Sequence, residues 1–351
     1  MRFLTPFIYL IAVTTVAAVG LITWIGFSFK QFETVEAFGS LECTPVVGIV
    51  GAADIETIPD SSAAYMASFD RRGGATRGAV LRFDTENPLD NASWRDRTDG
   101  KPVMFEPMGI DLYHARLPDG RWLSRLFVVN LAGPEVLLYD VDANGDLALR
   151  ERFSDPRIVS PNDVVATGPR SFYVTNDTAS GQKSFRGKLD FLLGFRTGQV
   201  FHYDGNSWSD VVDNLAFPNG LALTADGRTL YLAEMRAKSL ARFERDPDSD
   251  VLTPVDSVPL ETFPDNLSID AQGHVLVGTV PQPLSFTAYG EGLKDKAPSS
   301  ILRVAQSGLI ETLFQDPGDA LSAATVGVRL NDKILIGSRA ADRFLMCDTN
   351  E

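Results

Sequence analysis

Histidine is scarce in this chain of 351 residues, with only His114, His202 and His274. That scarcity excludes a histidine-rich zinc or iron centre. The sequence has no Gly-x-Ser-x-Gly elbow, no His-Glu-x-x-His and no Cys-x-x-Cys, so serine-nucleophile, zinc-protease and dithiol chemistries lack their signatures. Residues 181–188 imitate a phosphate loop, but the spacing is wrong and no Ser or Thr follows Lys188. Basic excess is also missing: 32 Lys and Arg stand against 46 Asp and Glu, a net charge of −14 spread along the chain. This argues against nucleic acid as a partner and favours metal ions or small neutral or cationic ligands. Cysteine is limited to Cys43 and Cys347. A bond between them would close almost the whole domain into a ring and would need an oxidising compartment; two unrelated buried thiols are the alternative.

What is present begins with an apolar run from Phe3 to Phe29, flanked by Arg2 and Lys30. At ~1.5 Å per helical residue it is long enough to cross ~30 Å of hydrocarbon. The run is longer than a cleavable signal needs, and Ala17-Ala-Val-Gly20 inside it is a poor cleavage site. The reading is therefore an uncleaved membrane anchor over 1–30, a linker over 31–42 and a single domain over 43–351. A domain of that size is large for one core unless the fold is modular.

Turn signals recur along the domain at Asp119-Gly120, Asn144-Gly145, Asp204-Gly205, Asp226-Gly227, Gln272-Gly273 and Ser307-Gly308, each between short alternating apolar segments. Strand-like pieces include 126–130, 136–141, 172–175, 229–233, 274–277 and 333–336, and no long amphipathic helix separates them. A second motif, in which polar or small residues open an alternating strand, recurs at Asp54, Met108, Asn162, Asn219, Asn266 and Thr325. Its period matches a four-stranded blade with its loops, which predicts an all-β, six-bladed β-propeller behind an N-terminal transmembrane helix. The first strand of each blade lines the channel, so these six openings should converge at one mouth. Asp54, Asn162, Asp163, Asn219, Asp265 and Asn266 make that ring rich in carboxylate and carboxamide oxygen, the ligand set Ca²⁺ takes. At any single position, an ordinary turn explains such residues equally well.

Seven segments carry a resemblance to the paraoxonases, the serum arylesterase/lactonase family, across nearly all of the soluble region. They are Gly51-Ala-Ala-Asp-Ile-Glu-Thr-Ile-Pro59, Ser160-Pro-Asn-Asp-Val-Val-Ala-Thr-Gly-Pro169, Phe172-Tyr-Val-Thr-Asn-Asp177, Phe217-Pro-Asn-Gly220, Tyr231-Leu-Ala-Glu234, Pro264-Asp-Asn-Leu-Ser-Ile-Asp270 and Lys333-Ile-Leu-Ile-Gly337. The resemblance implies that Cys43 and Cys347 are the pair that ties the propeller shut, and that the N-terminal segment stays in place. It further implies two Ca²⁺ ions. A structural one would be held by Asp54, Asp163 and the carbonyl of Ile110, and a catalytic one by Asn162, Asn219, Asp265 and Asn266.

The chain departs from the family pattern at three places. The glutamate expected before Asp54 is Ala53, and the two histidines expected as a proton-accepting pair are Met108 and Leu131. His114 would lie ~20 Å along its strand from the mouth, and His202 and His274 adjoin hairpin turns, as surface histidines do. The resemblance therefore implies hydrolysis of aryl esters or lactones, with weak Ca²⁺ binding at the catalytic position and with Asp265 and Asn219 as the catalytic side chains. Ala53, Met108 and Leu131 would form an apolar pocket wall for a small lipophilic substrate. The segment 178–198, with its apolar residues at 185–195, corresponds to a lid that covers the channel or meets a membrane surface. Two other readings stay open: a tethered binding module that has lost its chemistry, and a carbon–carbon bond-forming enzyme resembling strictosidine synthase. Asn-x-Ser/Thr triplets at Asn91, Asn176 and Asn266 would matter only in a host that glycosylates.

Overall fold

The computed structural model describes residues 4–90 and 94–349; the start of the apolar run, Asn91 and the last two residues lie outside the described set. Six sheets, antiparallel except for a two-residue parallel edge strand at Thr98–Asp99, follow one another around a central channel. Their inner strands are Ala52–Thr57, Pro107–Arg116, Pro161–Ala166, Pro218–Leu223, Phe263–Ile269 and Ala324–Leu330. Each contacts the next, and the last returns to the first, so the ring is closed. The recurring motif thus marks the channel-lining strand of every blade. The six turn glycines all have positive φ, from 69° at Gly227 to 97° at Gly205, which is why glycine stands at those hairpins.

Closure uses both ends of the domain. The strand Glu42–Val47 forms the outer edge of the sixth blade by pairing with Arg343–Asp348, with Cys43 directly opposite Cys347. The two are disulfide-bonded across a sequence separation of 304 residues. Residues 31–42 lie along the propeller: Phe38–Gly39 adds an edge strand to the fifth blade, Gln31 Oε1 accepts a hydrogen bond from Ser285, and the Glu33 carbonyl accepts one from Gln282.

Three helices complete the fold: α1 (Leu4–Ser28), α2 (Phe185–Leu193) and α3 (Pro283–Gly290). α1 is long and apolar enough to cross a membrane, a form shared by membrane spans and signal sequences. Most of it projects away from the propeller, with Val16 73% exposed. Its end is docked: Phe29 is fully buried, stacks on Phe263 at 5.7 Å, meets Phe191 of α2 and lies under the Arg236 guanidinium. α2 occupies the segment that departed from strand alternation. Ser184 caps its first turn by accepting from Gly187 N–H, and Gly194 ends it in the left-handed conformation. α3 was not foreseen, because a helix this short, opened by Pro283, leaves no periodic signal.

Opening the ring tests the closure directly. Replacing Cys43 and Cys347 by serine removes a cross-link over nearly the whole domain and is expected to lower stability by up to ~5 kcal/mol in the loop-entropy description. Thermal denaturation of the double variant beside wild type would show a clear fall in Tm; an unchanged Tm would mean strand pairing alone holds the ring.

Candidate active site at the channel mouth

A register shift falls near the start of every inner strand: between Ala52 and Asp54, Pro107 and Ile110, Pro161 and Val164, Pro218 and Leu221, Pro264 and Leu267, and Ala324 and Val326. Such bulges re-aim side chains and end regular pairing at the rim of a barrel or channel. Four of the six begin at proline, which has no N–H to give to a ladder. The bulged residues, among them Ala53, Met108, Asn162, Asn219, Asp265, Asn266 and Thr325, line a single cavity of about 650 Å³ at the mouth.

Hydrogen bonds orient the polar floor of this cavity. Asn266 gives its Nδ2 to the Ala53 carbonyl at 2.8 Å, and Thr325 gives its hydroxyl to the same oxygen at 2.7 Å. Asn219 hydrogen-bonds to Asp265, and Asn162 to Asp177. With its amide committed to a neighbour, each of Asn219 and Asn266 leaves Oδ1 buried without a partner among the described residues, and so does Asp177 with its own Oδ1. Buried polar atoms are rarely left unpaired. Oxygen acceptors freed in this way beside a buried carboxylate fit a hard cation such as Ca²⁺. Burial pushes the Asp265 carboxyl up to about 7, against the opposing pull of Arg339, Asn219 and Arg71. Among the described residues no three His, Cys, Asp or Glu side chains form a metal-holding group; the oxygens at the mouth are mostly carboxamides.

A second layer lies deeper in the channel. Asp54 accepts the Ile110 N–H at 2.8 Å, Asp111 accepts the Ala166 N–H at 2.7 Å, and Asp163 accepts both its neighbour Val164 N–H at 2.8 Å and Leu221 N–H at 2.6 Å. Carboxylates of the first three blades therefore each bond the backbone of the next blade. Burial raises all of them, Asp163 to about 8 and Asp111 to about 7, and the mutual repulsion of Asp54 and Asp163 adds to it. Glu56 is raised in the same way by burial and by Asp111, Asp54 and Asp163. Uncompensated buried negative charge of this kind suits a cation beside Asp54, Asp163 and the Ile110 carbonyl. Space there is tight: a Cβ on Gly109 would come within 2.0 Å of Asp163 Oδ1.

α2 and α3 wall the cavity above the floor. Phe191 and Leu192 of α2 face Phe217, Leu284 and Phe286, while Phe185 and Phe195 point outward at 79% and 52% exposure. The segment 185–195 thus covers the cavity and presents Phe185, Leu193 and Phe195 outward, interspersed with exposed Arg186 and Lys188.

The structure corrects several expectations. Met108 and Ala53 line the cavity, but Leu131 does not; it packs behind Met108 in the core of neighbouring blades. His202 is no surface residue: it is 4% exposed, lies against the Tyr173 ring and sits 3.5 Å from Asp250, and burial lowers its pKa. His274 bonds Asp270 at its hairpin, and His114 stacks on Trp122 far along its strand. Asn176 and Asn266 are buried, which removes both described triplets as sugar acceptors. Missed altogether were Asp177, Arg71 and Arg339. Asp177 and Arg339 each follow the second strand of a blade, the partner of a channel strand, and so reach the same rim as the strand openings.

A closed six-bladed propeller whose bulged inner strands bring buried, unpaired oxygens to one walled mouth defines a class of channel-site propellers. Comparison with known proteins narrows the class. The family model described as Arylesterase matches residues 101–349. Serum paraoxonase/arylesterase 2 of Bos taurus is 27% identical over 339 residues, covering 91% of this chain and 92% of its own. Serum paraoxonase/arylesterase 1 of Mus musculus is 29% identical over 339 residues, covering 92% of each. Among solved structures, a gluconolactonase from Xanthomonas campestris is similar with TM-score 0.56 at 16% identity, over 89% of this chain and 91% of that one. Regucalcin from Agrobacterium tumefaciens, a calcium-binding protein, is similar with TM-score 0.52 at 16% identity, over 86% and 90%. At such identities the structural likeness bears on the fold alone. The chain belongs to the arylesterase family, and that membership supports an esterase or lactonase function.

The crowding at Gly109 yields a check on the deep layer. Gly109→Ala must displace Asp163, and overpacking of this kind is expected to cost ~1–3 kcal/mol. The variant should melt several degrees below wild type; equal melting would mean that the second and third blades do not meet at this carboxylate.

Proposed function

We propose that the chain is a Ca²⁺-dependent hydrolase of aryl esters or lactones, working at the channel mouth. The observation that carries this reading is the pair of buried, unpartnered carboxamide oxygens of Asn219 and Asn266 beside the buried carboxylate of Asp265. With Asn162 they form the set that would hold the catalytic ion, while Asp54, Asp163 and the Ile110 carbonyl would hold the structural one. Bound there, Ca²⁺ supplies Lewis-acid polarisation of an ester carbonyl and stabilisation of the developing oxyanion. With Ala53 in place of a carboxylate, the catalytic position has fewer charged ligands and binds more weakly than the deep one.

The chain's own residues do the rest. No histidine lines the cavity, so proton transfer falls to the carboxylates of the floor. Asp265 is held by Asn219, and Asp177, whose Oδ2 takes bonds from Ser160 and Gln182, keeps Oδ1 free toward the cavity. Asp177 accepts the proton from water as the water oxygen bonds to the acyl carbon. The acyl carbon–oxygen bond then breaks, and the proton passes to the leaving oxygen. Met108, Phe191, Leu284 and Phe286 exclude bulk water and hold the apolar part of the substrate. α1 anchors the chain in a membrane on its oxidising side, where the Cys43–Cys347 bond persists. The end of α1 packs on α2 and α3, so the mouth and the outward Phe185 and Phe195 face the bilayer surface.

The lack of a cavity histidine also favours a second reading, a binding module without turnover. Assay of the detergent-solubilised full chain against phenyl acetate and a series of lactones separates the two. Hydrolysis should be abolished by chelation and restored by Ca²⁺, and Asp265→Ala or Asn219→Ala should lower kcat/KM by at least ~10²-fold. Wild type no faster than these variants would leave only the binding module.

A further inference from the structure

We infer that the substrate this mouth selects carries a carboxylate of its own, docked on Arg339; the inference rests on the hydrolase reading above and deepens it. Arg339 follows Ser338 at the end of the second strand of the sixth blade and lines the cavity beside α3. Its backbone is fixed: the N–H donates to the Ala323 carbonyl, and its own carbonyl accepts from Arg71 Nη1 at 2.9 Å. Its guanidinium carbon lies 5.4 Å from the centre of the Phe286 ring. An aromatic shelf of this kind holds the planar fork while leaving its edge open.

Among the described residues that edge has no hydrogen-bond or ion-pair partner. Arg71 and Arg236, the arginines packed behind the cavity's lining residues, do have partners. Arg71 is spent on the Arg339 carbonyl, Met108 and Glu106. Arg236 is spent on the Phe191 and Leu192 carbonyls. Asp265 and Asp177 feel the charge of Arg339, but neither is within ion-pair distance. A guanidinium offers five donors and loses water cheaply compared with an ammonium. Held half-buried in a walled cavity with those donors unspent, it is built for a ligand acceptor.

The charge balance selects the kind of acceptor. The whole chain, at −14, favours neutral or cationic ligands, and the mouth departs from that. Its other lining cations are at the lid: Lys183 is paired with Glu106, and Lys188 is exposed. A dianionic phosphate would therefore meet a single uncommitted cationic side chain, Arg339, with Asp177 and Asp265 close by. A single carboxylate matches one fork edge to edge. The ligand then reads as a small ester or lactone whose apolar body lies against Phe286 and Leu284, with its carboxylate on Arg339 and its acyl carbon over Asn219 and Asp265.

Two substrates with the same scissile bond test this: 4-acetoxybenzoate and its methyl ester, given to the full chain in detergent with Ca²⁺. Wild type should favour 4-acetoxybenzoate in kcat/KM by at least ~10-fold, mostly through KM. Arg339→Gln should erase that preference while holding the methyl ester within ~3-fold, and Arg339→Lys should keep part of it. Equal rates on both substrates in wild type, or an equal fall on both in Arg339→Gln, would overturn the inference. If neither substrate is turned over, the hydrolase reading has failed on its own, and calorimetric titration with 4-hydroxybenzoate and methyl 4-hydroxybenzoate decides. Binding of the acid that depends on Arg339 sustains the anion site; no difference between the two ligands, or none between wild type and Arg339→Gln, removes it.

Discussion

Six inner strands must each admit extra residues close to their openings, and most of what distinguishes this propeller follows from that constraint. A regular ladder would turn alternate side chains into the blade and leave a channel of backbone. The bulges instead bring consecutive residues to the rim, so that Asn162 serves the mouth while Asp163 serves the layer beneath, and Asp265 and Asn266 both reach the floor. An inner strand has no ladder partner on its channel edge, so N–H groups on that edge are open to neighbouring side chains. Ile110, Ala166 and Leu221 donate theirs to carboxylates of the preceding blade. The ring they cross-link is held shut at its seam by the pairing of Glu42–Val47 with Arg343–Asp348 and by the Cys43–Cys347 bond.

The mouth concentrates charge that the fold must offset. Burial disfavours ionised Asp54, Asp111, Asp163 and Asp265, and each is met only by N–H donors, carboxamides or cations at a distance. A propeller built only for stability would place apolar side chains here. Keeping buried Asp54, Asp163, Asp177 and Asp265 together with two carboxamide oxygens unpartnered among the described residues is what a ligand site, not a stability core, would do. Apolar Met108 and cationic Arg339 on the same rim make the site unlike a simple ring of oxygens.

The fold was legible because its signals are local and repeated. Asp-Gly and Asn-Gly turns demand positive φ whatever surrounds them, and the polar or small residues that open each inner strand recur once per blade. The site was half legible for the same reason. Residues at strand openings were found, whereas Asp177 and Arg339 sit at strand ends, where nothing in the local sequence separates a rim residue from a loop residue. Leu131 occupies that same kind of position yet turns into the core, so position alone would not have sufficed. His202 was misplaced because proximity to the Asp204-Gly205 hairpin says nothing of the face its ring takes, and here that face meets Tyr173. α3 is set by packing of Phe286 and Tyr289 beneath Phe29, contacts that span the chain from one end to the other.

The account turns on whether the two oxygen layers hold Ca²⁺, and equilibrium dialysis of the full chain in detergent against radioactive calcium measures that without reference to turnover. It predicts two ions per chain, one tight and one weak, with Asn219→Ala losing the weak ion alone and Asp54→Asn losing the tight one. No bound calcium, or a stoichiometry that neither substitution changes, would contradict it.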